Sequence, residues 1–207
     1  MVTRGTRSIT GSIEEIRSVY CSISNGLRFT RSVKVNEMDK TLPEKIRENF
    51  PNADVSSVEE ERLAVTVPKE ELIDILSFVK NLGFDHLVMV SCVDWIDEGQ
   101  FELVYIVTSY VSYNGESSGK GRQHIIVKIR IDRSKATFRT IIPVYQNAEP
   151  YEREIHELYG VDFQGHPRLT PLLLEREYPV PPFRKDFDSR NYVKEFFDSI
   201  PEIEEEK

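Results

Sequence analysis

The chain has 207 residues, 39% hydrophobic and 30% charged, which supports one globular domain with an appendage and excludes a miniprotein dependent on staples. Lys and Arg number 27 against 35 Asp and Glu, so the formal charge of -8 argues against nucleic acid or anionic lipid as the default partner. Cys21 and Cys92 are too few thiols for a typical iron–sulfur cluster or a four-cysteine zinc site, and no apolar run reaches the roughly 18 to 20 residues of a membrane-spanning helix.

Residues 1–40 read as a loose basic segment, with Arg4 and Arg7 among Ser, Thr and Gly, in which Leu27, Phe29, Val33 and Val35 permit one edge strand. The first helix is predicted from Thr41, a capping residue, with Pro43 in its first turn and Leu42, Ile46 and Phe50 along one face. Pro51 and Asn52 stop it. Val55 to Val58 and Leu63 to Val67 read as a hairpin around Glu59-Glu60-Glu61. Pro68 then opens a second helix with an apolar stripe of Leu72, Ile75, Leu76, Val79 and Leu82, and Gly83 ends it.

Three strand-like runs follow, His86 to Trp95, Phe101 to Tyr113 and Gln123 to Asp132, and predict an antiparallel meander joined by Asp97-Glu98-Gly99 and the loop Asn114 to Gly121. A fourth run, Thr137 to Tyr145, meets Pro143 and is expected at an edge or to end early. Asn147 is a candidate cap for a third helix carrying Tyr151, Ile155, Leu158 and Tyr159 on one face, with Gly160 as its stop. The predicted fold class is α+β: a mixed, largely antiparallel sheet with two to three helices over residues 41–160, followed by an extended C-terminal docking arm over 161–207.

That arm is the most informative part of the sequence. Pro167, Pro171, Pro179, Pro181, Pro182 and Pro201 make a regular helix or central strand unexpected from Val161 to Phe187. Phe163, Leu169, Leu172, Leu173, Leu174, Tyr178, Phe183 and Phe187 nonetheless make the segment far too apolar for a solvated tether. The economical reading is an arm that buries these side chains on a partner protein, so deleting residues 161–207 is expected to leave a folded domain that no longer assembles. A short helix around Tyr192 to Phe197 and an acidic tail end the chain.

Site chemistry is sparse. Glu152 and His156, four apart on the third helix, with His166 downstream, offer a metal-dependent enzyme as the alternative, but further ligands at fixed spacing are missing and surface polar residues on an amphipathic helix are commoner. Glu152 and Glu154 lie on different sides of that helix and make a poor acid–base pair. No nucleophile elbow or phosphate-binding glycine motif is present, and Cys92 reads as core. Trp95 reads as a core aromatic beside the solvated turn carboxylates Asp94 and Asp97. The run Tyr151-Glu-Arg-Glu-Ile-His-Glu-Leu-Tyr-Gly-Val-Asp-Phe-Gln-Gly-His-Pro167, with Pro182-Phe-Arg-Lys-Asp-Phe187, instead suits docking: Gly160 and Gly165 permit turns, and Arg153, Arg184 and Asp186 offer charge-assisted contacts.

These residues resemble a known family. The Glu-Arg-Glu helix (Glu152, Arg153, Glu154), the Gly-Val-x-Phe-x-Gly-His-Pro turn ending at Pro167 and the Arg-Lys-Asp-Phe of 184–187 look like the signature of the thirty-kilodalton subunit of complex I, also called the C subunit of NADH dehydrogenase. Arg168 departs from the Asp usual after His-Pro, and Thr170-Pro171 stands where a basic pair is common. The resemblance implies a non-catalytic subunit with no cofactor of its own, clamped to a subunit related to the hydrogenase large subunit and near a small iron–sulfur subunit. Iron–sulfur clusters, and nickel–iron in some complexes, then belong to those partners. It implies a peripheral location on the cytoplasmic face of the membrane, and partner-binding roles for Glu152, Arg153, Glu154, Phe163, His166, Pro167, Leu172, Leu173, Phe183, Arg184, Lys185, Asp186 and Phe187. Short length, high charge content and Arg168 lean toward the archaeal-type relatives, which include membrane-bound hydrogenases, sulfane reductases and F420-linked dehydrogenases.

Overall fold

The structure, a computed structural model, describes residues 41–59, 61–109, 123–174, 178 and 180–196. The expectations for residues 1–40, for the loop 114–121 and for the acidic tail lie outside these residues. Helix α1 (Leu42–Asn49) starts where Thr41 donates its N–H to the Glu44 carboxylate at 2.8 Å, and it buries Leu42 and Ile46. Strands β1 (Asp54–Glu59) and β2 (Arg62–Thr66) form the expected antiparallel hairpin. A single 3-10 turn, Lys69–Glu71, leads into α2 (Leu72–Asn81), whose buried stripe is Leu72, Ile75, Leu76 and Val79. Gly83 follows with a φ of +102°, a conformation that costs a glycine least.

Strands β3 (His86–Trp95), β4 (Gln100–Thr108) and β5 (His124–Asp132) make the antiparallel meander, with Cys92 opposite Leu103 and Leu103 opposite Ile129. β5 also pairs with β2 in parallel, so the five strands run in the order β1-β2-β5-β4-β3. Period-two alternation puts Val90 and Cys92, then Phe101, Leu103, Tyr105 and Val107, then Ile125, Val127 and Ile129 on one buried face, in a single core with the helix stripes. Each large side chain so buried contributes about 1.5–3 kcal/mol before ordering costs. Cys92 is in this core, and burial, reinforced by the nearby Asp94 charge, pushes its thiol up to about 12.

Strand β6 (Thr137–Arg139) ends before Pro143, as expected, but its partner is a surprise. It pairs in parallel with β7 (Asp162–Gln164), Phe138 opposite Phe163, and helix α3 (Glu149–Tyr159) fills the crossover. A regular strand therefore exists after Val161. Phe163 is 1% exposed and Val161 fully buried in the chain's own core, so Phe163 is no anchor for a partner. The core extends through β7, which argues against the expectation that residues 161–207 are dispensable for folding. Asn147 does not cap α3 either: its Nδ2 donates to the carbonyl of Leu87 at 2.8 Å, and Ala148 occupies the cap position. Helix α4 (Ser189–Phe196) begins earlier than expected because the Asp188 carboxylate accepts the N–H groups of Arg190 and Asn191 at 3.0 and 3.1 Å.

Candidate docking surface

The amphipathic pattern of α3 predicts charged residues turned to solvent, yet Glu152 is fully buried and Arg153 is 8% exposed. Glu152 accepts the Thr140 hydroxyl at 2.6 Å and the Ile141 N–H at 2.8 Å, joining α3 to the segment that leaves β6. Burial raises its pKa, and those two hydrogen bonds oppose the rise. Arg153 donates to the carbonyls of Thr170 and Pro171 at 3.0 and 2.9 Å, so its fork holds the chain after His166-Pro167 onto the helix. Glu154 is half-buried near Tyr159. Neither Glu152 nor Arg153 offers a surface to a partner; both are taken up by this chain's own fold.

Beyond that Arg153 contact, the segment after β7 is a belt fastened at three further places. The first is Glu157, whose carboxylate accepts three successive backbone N–H groups, those of Leu172 and Leu173 at 2.9 Å each and that of Leu174. Burial pushes this carboxyl up, but the three N–H donors outweigh it and hold the pKa below the ordinary glutamate value. The second is the C-terminal end of α3, where Phe183 donates its N–H to the Leu158 carbonyl and Arg184 donates Nε to that of Tyr159 at 2.6 Å. The third is a clasp: Arg133 donates to both Asp94 oxygens at 2.9 and 3.2 Å and to Asp186 at 2.6 Å, while Lys185 donates its N–H to Asp94 at 2.9 Å.

Asp94 is 4% exposed, which corrects the expectation of a solvated turn carboxylate. Its burial raises the pKa, yet the hydrogen bonds from Arg133 and Lys185 prevail and lower it overall. Asp186 is lowered first by its hydrogen bond from Arg133. The inward parity of Val90, Cys92 and Asp94 along β3 was the signal that Asp94 faces the core; Arg133 and Glu157 carried no comparable mark in sequence. Trp95, expected in the core, has the outward parity, is 38% exposed and lies under the Arg130 guanidinium at 4.8 Å.

Aromatic rings and cations fill the space under the belt. Tyr159 meets Phe101 and Phe183 edge-on, each at 5.9 Å, and the guanidinium groups of Arg133 and Arg184 lie 5.6 and 5.2 Å from the Phe101 ring. Phe187 packs edge-on to Tyr178, with Tyr192 beside both. Gly160 is the hinge post. Its φ is +75°, and a Cβ there meets Arg184 Nη2 and Pro181 Cγ at 3.0 Å each. Gly160→Ala is expected to destabilise the chain by about 1–3 kcal/mol and to loosen residues 181–184, measurable as a lower urea midpoint and faster amide exchange at Phe183 and Arg184.

The belt leaves apolar tips outside. Leu172 is 40%, Leu173 62% and Phe183 57% exposed, with Pro167, Lys185 and Asp186 also on the surface. The alternative metal set does not converge. His156 Nδ1 lies 2.8 Å from the Val161 carbonyl, and His166 takes the Arg168 N–H at Nδ1, leaving Nε2 to donate to the Glu149 carbonyl at 3.2 Å. Glu152 is occupied as above, and among the described residues no group of three or more His, Cys, Asp or Glu is placed to hold a metal ion. Arg168, the departure from the family pattern, is 65% exposed and stands 3.7 Å from Glu149.

These features define an α+β domain fastened by its own Pro-rich C-terminal belt, with the belt's apolar tips turned outward. The chain belongs to the family of the 30 Kd subunit of respiratory-chain NADH dehydrogenase, whose family model matches residues 65–193. It is 33% identical over 156 residues to the C subunit of the F(420)H(2) dehydrogenase of Methanosarcina mazei, covering 72% of this chain and 91% of that one. It is also 33% identical over 138 residues to the C subunit of the NADH-quinone oxidoreductase of Phenylobacterium zucineum, covering 66% of this chain and 61% of that protein's length. Among solved structures, a chain of the membrane-bound sulfane sulfur reductase, an archaeal respiratory membrane complex, matches with a TM-score of 0.67 and 33% identity, over 79% of this chain and 94% of that one.

Proposed function

We propose that this chain is a cofactor-free docking subunit in the peripheral arm of a membrane-bound, ion-translocating oxidoreductase of the complex I type. It seats on a subunit related to the hydrogenase large subunit, beside a small iron–sulfur subunit, and reaches the membrane arm through them on the cytoplasmic face. The iron–sulfur clusters, and nickel–iron in a hydrogenase, are theirs. The observation that carries this reading is the exposure of Leu172, Leu173 and Phe183 on a segment whose backbone is clamped by Arg153, Glu157 and Arg184, a presentation of apolar side chains that an isolated protein does not need. The names of the relatives support it, since they are C subunits of oxidoreductases. An archaeal-type complex is favoured by the F(420)H(2) dehydrogenase and sulfane sulfur reductase relatives. No helix among the described residues is long and apolar enough to cross a membrane, which fits attachment through other subunits.

The test replaces the tips and spares the belt. A Leu172→Asp, Leu173→Asp, Phe183→Asp chain is expected to keep the circular dichroism of the parent and to lose copurification of the other subunits, because each large anchor contributes on the order of 1.5–3 kcal/mol of burial to the interface. Full assembly of this variant overturns the docking role. Stoichiometric metal or flavin in the isolated parent chain overturns the cofactor-free role.

A further inference from the structure

The two edges of the sheet are finished differently. β1 is blunted: Asp54, Ser56 and Ser57 are exposed, a bulge breaks its register between Ser57 and Glu59, and Arg47 donates to the Val55 carbonyl at 2.8 Å. Its exposed apolar residue, Val58, lies in that bulge. β3, at the other edge, has its bulge at Val88, and from there Met89 to Trp95 runs in unbroken register with β4. Met89, Val93 and Trp95 are each 38% exposed, and no lysine or proline interrupts the run. Side chains take the carbonyls of Leu87 and Val88 at one end, and the Lys185 N–H takes the Asp94 carboxylate at the other. Between them, no backbone or side-chain partner reaches the stretch Met89–Val93 on this edge among the described residues.

We infer that the β3 edge is a second docking site, distinct from the belt tips, and that it accepts an extended strand of a partner protein with alternating apolar residues and basic ends. Strand addition satisfies the edge N–H and C=O groups, while Met89 and Val93 supply an apolar flank. The charge sets the occupant. Exposed Asp85 precedes the strand and exposed Asp97 follows it, where Arg130 over Trp95 is already paired with Glu98 and Glu102, so both ends attract Lys or Arg. A second copy pairing antiparallel along the same edge brings Asp97 of each chain toward Asp85 of the other, and like charges oppose it.

Trp95, the only tryptophan in the chain, stands on this edge and reports on it. The full chain is titrated with the peptide Lys-Val-Thr-Val-Thr-Val-Lys while Trp95 emission and amide exchange at Met89–Val93 are followed. Saturable emission change with slowed exchange is expected, abolished when alternate peptide amides are N-methylated and weakened about tenfold by Glu in place of the terminal Lys residues. Asp85→Lys with Asp97→Lys is expected to reverse the preference between the two peptides. Absence of binding, or equal binding of the N-methylated peptide, overturns the inference. Protection in the peptide-free chain also overturns it: if it rises with protein concentration the occupant is a second copy, and if it does not the edge is covered by the chain itself.

Discussion

A chain ending at Gly160 is expected to be largely unfolded at room temperature, whereas one ending at Gly165 folds and merely loses the belt. The first cut removes Phe163 and Val161 from the core and strips β6 of its paired strand. Losing a buried phenylalanine costs about 3–5 kcal/mol, and the valine adds about 1.5–3 kcal/mol, a large part of the roughly 5–15 kcal/mol that stabilises a domain. The second cut keeps both residues, and the described residues that it removes are half-buried or exposed. Far-ultraviolet circular dichroism and urea titration of the two truncations distinguish the outcomes. A cooperative transition in the shorter chain refutes the placement of β7 in the core.

Opening the clasp is the other large effect. Arg133→Leu leaves Asp94 a buried carboxylate without its cation, with only the Lys185 N–H, a loss of up to about 3–5 kcal/mol, and it also releases Asp186. The belt from Pro181 to Phe187 is expected to exchange its amides much faster while β4 and β5 stay protected, and assembly is expected to weaken because Phe183 is no longer held in place. Asp94→Asn keeps the shape, removes the charge and gives a smaller effect of the same sign. Unchanged exchange at residues 183–187 in Arg133→Leu refutes the clasp.

Acid acts on the same contacts. Asp94, Asp186 and Glu157 have lowered pKa values in the folded chain, so they bind fewer protons folded than unfolded. Their contribution is complete above the unfolded carboxyl values of about 4 and is lost as the pH falls through the folded ones. Glu152 has the opposite sign: its raised pKa means that protonation favours the folded state as the pH falls through its folded value. Below about pH 4 the belt is therefore expected to loosen before the core around α3, seen as exchange at residues 172–174 and 183–187 rising ahead of that at 152–158.

Elements whose signals are local were legible from the residues alone. Hydrophobic periodicity marked α1, α2, the β1–β2 hairpin and the meander, and Gly83 and Gly160 ended the helices that precede them. The ordered motif from Tyr151 to Pro167 also sufficed to point to the family. Which charges are internal depended instead on packing between distant segments. An amphipathic helix leaves its polar face undefined until a neighbour covers it, and here the belt and the segment after β6 cover Arg153 and Glu152. Pairing of β2 with β5 and of β6 with β7 was equally hidden, because parallel partners are distant in sequence and carry no turn to mark their register. The proline-rich segment is apolar and irregular over most of its described length, as its composition predicts. Its first contacts, however, are with its own domain, because Glu157, Arg153 and the Asp94–Arg133 pair supply donors and acceptors for a backbone that proline keeps out of regular structure.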